Sequence, residues 1–216
     1  MTCYPQLKVL VACEHSGSVR DALTHLGHDA LSCDLKPSNT PGKHYQGNVL
    51  DIIDRGFDLM IGFPPCTYLA KVQEWRCQQD PVRKMKQLQA VEFFRALINA
   101  PITCIALENP AGFLTHAFRA SNQIIRPWWF GDPYEKEIQL WTKNLPPIMA
   151  TCYSPFRKSI SNHVNGRMSQ DLKSEIKSSW TRFPGMAHAI ADQYSKAATS
   201  LVYPSGALLT VSRPEK

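Results

Sequence analysis

Four short groups of polar or reactive residues each follow an apolar run of the sequence. They are residues 14–17 (Glu-His-Ser-Gly), Asp34, residues 64–66 (Pro-Pro-Cys) and residues 108–109 (Glu-Asn). The carboxyl ends of parallel strands meet at one edge of an α/β sheet, where ligands bind. We therefore expect one site with backbone room for a nucleotide-like cofactor, an acid for its ribose, a nucleophile and a proton donor.

The elements that position these groups follow from the hydrophobic pattern. Strands are predicted at residues 7–12, 30–33, 57–62, 101–107 and 138–142. Helical spacing of apolar residues predicts helices near residues 19–26, 80–99 and 186–194. Because two consecutive prolines cannot continue a central strand, Cys66 is placed just beyond the carboxyl end of a strand. Strands that alternate with helices predict an α/β fold with a mostly parallel sheet.

Composition sets the broad class of the protein. The chain has 216 residues, a net charge of +6 and 44% hydrophobic residues, which fits a single domain spanning residues 1–216. The basic balance admits an anionic partner such as nucleic acid. No apolar run approaches the roughly 20 residues that cross a bilayer, and the N-terminus lacks the apolar stretch of a secretory signal. We expect a cytoplasmic protein without membrane contact.

The seven cysteines are an odd number, scattered along the chain. They form no C-x-x-C pair and no cluster with zinc-ligand spacing, so we expect neither a disulfide framework nor a metal site. Taken alone, Cys66 could be a structural cysteine beside a turn, and Glu108 could be a capping acid before Pro110. Their occurrence together, each after a strand, favours chemistry.

Three segments together resemble the cytosine-5 methyltransferase family. They are VLVACEHSGSVR at residues 9–20, GFPPC at residues 62–66 and LENP at residues 107–110. In order and spacing they are similar to the first, fourth and sixth motifs of the family, most closely to its short phage and prophage members. The resemblance covers roughly residues 7–142. It implies a Rossmann-like, S-adenosylmethionine-dependent methyltransferase fold and methylation of C5 of cytosine in DNA.

The resemblance also implies the catalytic residues. Cys66 would add to C6 of the cytosine ring and thereby make C5 nucleophilic. Glu108 would act as a general acid at the exocyclic amine and N3 of the same ring. Because backbone N–H groups at a loop terminus stabilise a thiolate, we expect the pKa of Cys66 to be lowered.

Contacts to S-adenosylmethionine are implied for eight residues: Glu14, His15, Ser16, Gly17, Asp34, Asn48, Val49 and Pro64. Gly17 corresponds to the last glycine of the family's cofactor loop, and Asp34 to its ribose-binding acid. Asn48 and Val49 fall in the adenine-reading segment. The family's other loop glycine is absent, since His15 occupies its position. Asp34 could equally be a turn residue, and His15 could simply form local hydrogen bonds.

Substrate contacts are implied for five residues: Asn109, Lys136, Gln139, Arg167 and Lys173. Lys136 and Gln139 lie where the family has a Gln-x-Arg-x-Arg strand. Between residues 157 and 182 the chain has six basic and two acidic residues, which could be a solvated surface or could face phosphates. We therefore predict a small basic substrate-facing segment within residues 151–185.

The substrate is the least constrained part of the prediction. The basic segment is much shorter than the target-recognition region of DNA-acting relatives. DNA is the expected partner, with RNA or a free cytosine nucleotide as alternatives that keep the chemistry. A third hypothesis is a catalytically silent protein that binds nucleic acid. The aromatic run Trp128-Trp129-Phe130 could stack bases, although core packing is the commoner role for such residues.

Overall fold

The computed structural model describes residues 5–159 and 183–204. Its main sheet has seven strands in the order β3-β2-β1-β4-β5-β8-β6. The strands are β1 (Lys8–Ala12), β2 (Asp29–Asp34), β3 (His44–Gln46), β4 (Leu59–Gly62), β5 (Cys104–Asn109), β6 (Gln123–Ile125) and β8 (Ile138–Lys143). The first five pair in parallel, whereas β8 runs antiparallel to both β5 and β6. The short strands β7 (Tyr134–Glu135) and β9 (Lys158–Ser159) form a separate two-stranded sheet.

Helices cover both faces of the sheet. They are α1 (Ser18–His25), α2 (Glu74–Gln79), α3 (Pro81–Ile98), α4 (Leu114–Ala117) and α5 (Pro184–Val202). Alternate residues of the central strands contribute to two separate cores. Val9 of β1 packs in the core shared with α1 and α5, whereas its neighbour Leu10 packs in the core shared with α3. Burial on both faces explains why the central strands are continuous apolar runs in the sequence.

The architecture confirms the predicted Rossmann-like α/β fold class. All five predicted strands and all three predicted helices are present, and α5 extends to Val202 because its buried face continues through Ala198 and Thr199. The short elements β3, β6, β7, β9, α2 and α4 were not predicted, since so few residues carry no clear periodicity. No helix within residues 5–159 and 183–204 has the length and hydropathy that a bilayer crossing requires.

Candidate active site

The loop after β4 presents Cys66 at the carboxyl edge of the sheet. β4 ends at Gly62, and Pro64 is buried while Cys66 is exposed. The carbonyl oxygen of Cys66 accepts hydrogen bonds from the backbone N–H groups of Leu69 and Ala70, both at 3.0 Å. The chain therefore turns immediately after the double proline, and the turn holds a free thiol outside the core.

Glu108 lies near the carboxyl end of β5 and is only 8% exposed. Its Oε1 atom is buried and has no hydrogen-bond partner among the described residues. The nearest cation is Lys136, whose Nζ lies 4.0 Å from that oxygen. A buried carboxyl oxygen without a partner is costly and rare in folded proteins, so its presence here calls for an explanation beyond stability.

Hydrogen bonds fix the Cys66 loop to the segment after β5. The side-chain Nδ2 of Asn109 donates to the carbonyl oxygen of Pro64 at 2.8 Å. Ala70 and Gly112 form an antiparallel bridge. A Cβ on Gly112 would lie 2.1 Å from the carbonyl oxygen of Leu69, so only glycine permits this approach. We call this set of contacts the loop clamp; it holds the loop that carries Cys66 beside the carboxyl end of β5, which carries Glu108.

The two reactive groups are close enough to influence one another. Burial raises the pKa of Glu108, and Lys136 partly opposes that change. Although Cys66 is exposed as a residue, desolvation of its thiol raises the pKa, the negative charge of Glu108 raises it further, and Lys136 lowers it. The predicted lowering of the Cys66 pKa is therefore wrong, because desolvation and the neighbouring carboxylate outweigh the backbone N–H groups.

Two more predicted substrate residues meet at the same edge. Asn109 of β5 and Gln139 of β8 are register partners across the antiparallel pair. Asn109 Oδ1 and Gln139 Oε1 are both buried without a hydrogen-bond partner among the described residues. Lys136 lies just before β8, with Nζ 5.8 Å from the centre of the Phe183 ring. Arg167 and Lys173, like most of the predicted basic segment, lie outside the described residues.

The loop after β1 has a different character, because its polar groups hold the loop itself together. Glu14 accepts hydrogen bonds from Ser16 Oγ at 2.9 Å and from the backbone N–H groups of Val19 at 2.8 Å and Arg20 at 3.3 Å. Its carboxylate thus caps α1. Gly17 adopts φ 80°, and a Cβ there would lie 2.1 Å from Thr40 Oγ1.

The remaining predicted cofactor residues are spread along the same edge. Asp34 ends β2, and its Oδ1 accepts a hydrogen bond from the backbone N–H of Lys36 at 2.9 Å. Burial, with the negative charge of Asp34 as the next cause, raises the pKa of Cys13 to about 12. The Nδ1 atom of His15 is buried and has no partner among the described residues. Asp34 and His15 therefore have polar groups suited to a nucleoside.

Local contacts order the segment that was predicted to read adenine. Asn48 is exposed, and its Oδ1 accepts a hydrogen bond from the backbone N–H of Leu50 at 3.1 Å, which caps the 3-10 turn Val49–Asp51. Val49 is buried in the core beneath this turn. The recorded hydrogen bond of Asn48 is local and Val49 has no polar side-chain group, so their role at the cofactor stays a prediction.

The aromatic run divides between two roles. Phe130 is buried in the core, as expected, whereas Trp128 and Trp129 are only half-buried. Tyr153 and Phe156, which the sequence analysis did not single out, lie exposed in the segment that follows β8. The spacing of Tyr153 and Phe156 shows neither helical nor strand periodicity, so the sequence provided no reason to select them. The contact between Trp128 and Tyr153 is evident only in the folded structure.

Comparison with known proteins gives a likeness at the level of solved structures alone. No family model matches the sequence, and no curated protein matches it. The chain is similar to the Entamoeba histolytica methyltransferase EhMeth, with 14% identity, a TM-score of 0.46 and coverage of 77% of this chain and 62% of that one. It is also similar to the S. pombe Dnmt2 methyltransferase, with 16% identity, a TM-score of 0.41 and coverage of 73% and 53%. The chain thus spans less than two thirds of either structure.

Proposed function

We propose that the protein is an S-adenosylmethionine-dependent methyltransferase that modifies C5 of cytosine in DNA. The observation that supports this most strongly is that the loop clamp holds Cys66 near Glu108, whose buried Oε1 has no hydrogen-bond partner among the described residues. A nucleophile and a carboxylic acid that act on the two sides of one pyrimidine ring need this proximity. Neither residue has another evident role, because Cys66 is exposed and Glu108 makes no structural hydrogen bond through Oε1.

The chain's own residues activate and release the ring. Cys66 Sγ forms a bond to C6, while Glu108 in its protonated form donates a hydrogen bond to N3 and so stabilises the charge that develops on the ring. The raised pKa of Glu108 keeps that proton available. After C5 has been methylated, solvent takes the C5 proton and the Sγ–C6 bond breaks, which restores the aromatic ring and releases Cys66 as the thiolate that began the reaction.

The site also contains side chains that could bind the polar edge of the cytosine. Asn109 and Gln139 present acceptor oxygens that lack partners among the described residues, and Lys136 supplies a cation beside Glu108. Acceptors suit the exocyclic amine of cytosine, and an ammonium group suits its carbonyl oxygen. We assign these three side chains to orientation of the base.

S-adenosylmethionine, when bound, supplies the electrophilic methyl group. Asp34 and His15 fit its nucleoside, since a carboxylate at the end of β2 and an unpartnered ring nitrogen are both available. Glu14 and Gly17 fit less directly. The carboxylate of Glu14 already accepts hydrogen bonds from α1, and Thr40 packs against the Cα of Gly17. We therefore propose that these two residues shape the loop that the cofactor contacts.

A catalytically silent binding protein is a weaker explanation of the same site. Such a protein has no use for a buried carboxyl oxygen that costs stability beside an exposed thiol. RNA or a free cytosine nucleotide would keep the chemistry, and the described residues favour neither over DNA at the ring itself.

Methyl transfer from labelled S-adenosylmethionine tests the proposal directly. The acceptors are duplex DNA, single-stranded DNA, RNA and deoxycytidine monophosphate, assayed in parallel. We expect label in DNA, and a loss of roughly 10³-fold or more for Cys66→Ala. Cys152→Ser is the matched control, because Cys152 is also exposed. Label in no acceptor, or full activity of Cys66→Ala, would contradict the proposal.

A further inference from the structure

A second feature of the carboxyl edge is an exposed aromatic cluster beside the site. β6 runs parallel to β5, because both pair antiparallel with β8. The carboxyl end of β6 therefore lies on the same edge as Glu108, and Trp128 follows it in the turn Pro127–Trp129. We call Trp128, Tyr153, Phe156 and Arg157 the aromatic platform.

The aromatic platform combines ring faces with a cation. The ring centres of Trp128 and Tyr153 are 5.5 Å apart with an interplanar angle of 42°. The guanidinium carbon of Arg157 lies 4.1 Å from the centre of a Trp128 ring. Tyr153 is 65% exposed and Phe156 is 74% exposed. Exposed apolar rings of this size lower solubility, so Tyr153 and Phe156 mark a binding surface more readily than a structural one.

Backbone contacts hold the platform in place. The N–H of Thr151 donates to the carbonyl oxygen of Trp129 at 3.0 Å, and that of Ser154 to the carbonyl oxygen of Trp128 at 2.8 Å. The buried Ser154 also donates through Oγ to the carbonyl oxygen of Phe156 at 2.9 Å. The rings are thus arranged before any ligand arrives, which reduces the entropy lost on binding.

The platform is close to the reactive pair. Lys158, the residue after Arg157, pairs with Tyr134, and Lys136 two residues further along contacts Glu108. By strand spacing, the Cα atoms of Arg157 and Lys136 are on the order of 10 Å apart. The platform is therefore within reach of a nucleotide that neighbours a cytosine held at Cys66 and Glu108.

We propose that the aromatic platform stacks an unpaired nucleobase of single-stranded DNA next to the target cytosine, with Arg157 against the adjacent phosphate. This inference rests on the proposed function and narrows its substrate. Aromatic faces bind successive bases of a single strand without sequence readout, and arginine adds cation–π and phosphate contacts. A base inside a duplex has both faces covered by its neighbours, and a mononucleotide has no neighbouring base to stack.

Charge favours this ligand over a second copy of the chain. A two-fold interface on the platform would bring the Arg157 side chains of both copies onto one small patch, and like charges there repel. The chain carries a net charge of +6, which attracts a polyanion instead.

Equilibrium binding of a labelled single-stranded oligonucleotide with one cytosine tests the inference, with Cys66→Ala as the background so that no reaction intervenes. We expect Tyr153→Ala to weaken binding by roughly 5- to 100-fold. Tyr153→Phe should restore it. Arg157→Gln should reduce the slope of log affinity against log salt by about 0.7, the value for one phosphate on a single strand. Arg55→Gln is the matched control, because Arg55 is likewise an exposed arginine on an aromatic face, that of Tyr45.

An abasic nucleotide beside the cytosine makes the test specific. When Tyr153 is retained, removing that base should weaken binding as much as Tyr153→Ala weakens binding of the intact strand. The two changes together should reduce affinity little more than either does alone. Fully additive losses, tighter binding of duplex DNA or of the matching RNA, or a platform variant that changes only self-association would overturn the inference. The proposed function can fail separately, since absent methyl transfer with intact strand binding contradicts the chemistry alone.

Discussion

Two buried glutamates at the carboxyl edge of the sheet have opposite surroundings. Glu14, after β1, is 3% exposed, and its carboxylate accepts hydrogen bonds from Ser16, Val19 and Arg20. Glu108, in β5, is 8% exposed, and its Oε1 accepts none from the described residues. Burial raises the pKa of both.

The comparison separates a structural acid from a functional one. At Glu14 the cost of burial is offset by hydrogen bonds that start α1, so the residue stabilises the fold. At Glu108, within residues 5–159 and 183–204, the compensation recorded for Oε1 is the ammonium group of Lys136 at 4.0 Å. A fold retains an uncompensated group of this kind where a ligand completes its hydrogen bonds. The loop after β1 thus shapes this edge of the sheet, whereas the surroundings of Glu108 at the end of β5 support our proposal that it takes part in the reaction.

The largest expected effect is on turnover at Glu108. Glu108→Gln keeps the size and polarity of the side chain but removes the proton donor, so we expect methyl transfer to fall by roughly 10²- to 10⁴-fold. Glu92→Gln is the matched control, because Glu92 is exposed on α3 and pairs only with Arg95. Steady-state rates measure both. Near-normal turnover of Glu108→Gln would remove the distinction between the two glutamates.

At Glu14 the expected effect is on stability. Glu14→Ala leaves the first N–H groups of α1 and the Ser16 hydroxyl without their acceptor, which should reduce the free energy of unfolding by about 2 kcal/mol. Urea denaturation followed by circular dichroism measures this change. If unfolding were unaffected while S-adenosylmethionine binding disappeared, Glu14 would instead be a cofactor ligand.

Replacing Glu108, unlike replacing Glu14, should increase the free energy of unfolding. Glu108→Gln removes the cost of burying a charge, so we expect about 1 kcal/mol more stability at neutral pH. The folded-state pKa of Glu108 lies above its unfolded value, so the native protein loses stability as pH rises through that range. The stability gained by the variant should therefore be absent below about pH 4 and grow as pH rises. A constant gain at every pH would point to packing rather than charge.

The smallest expected effect is on the reactivity of Cys66. Because ionised Glu108 raises the pKa of the thiol and Lys136 lowers it, Glu108→Gln should speed alkylation by iodoacetamide at pH values where Glu108 has lost its proton, and Lys136→Met should slow it, each by a few-fold. Peptide mass spectrometry across a pH series reports the rate at Cys66 alone. Equal rates in all three proteins would mean that the groups are farther apart in solution than in the structure.

The sequence predicted the strands and the reactive pair better than the first loop. Strands buried on both faces are continuous apolar runs, and a double proline marks where β4 must end, so Cys66 and Glu108 could be placed at one edge. Glu14 and Gly17 were predicted to contact the cofactor, which stays a prediction, and the capping role of Glu14 was not predicted, because a glutamate that caps a helix and one that faces a ligand have the same neighbours in the chain. The contact that explains Gly17 comes from Thr40, a residue in a different loop.

The clamp and the platform depend on pairings that are distant in sequence. Asn109 was predicted as a substrate contact, but its amide also holds the Cys66 loop through Pro64. Gly112 could not be recognised as important from the sequence. Glycine is required there because the backbone of Leu69, which is distant in sequence, leaves no room for a Cβ atom. Tyr153 meets Trp128 because β6 and the segment after β8 reach the same edge, and β6 is too short to be predicted.

Trapping of the covalent adduct tests the central role of Cys66 most directly. A single strand with 5-fluorocytosine at the target position is incubated with the protein and S-adenosylmethionine. Release of the thiolate requires loss of a proton from C5. With fluorine in place of that hydrogen the elimination is blocked, so the Sγ–C6 bond should persist. We expect a stable protein–DNA complex whose crosslinked peptide contains Cys66, and no complex with Cys66→Ala. Methyl transfer without any adduct, or an adduct at another cysteine, would contradict the proposed chemistry.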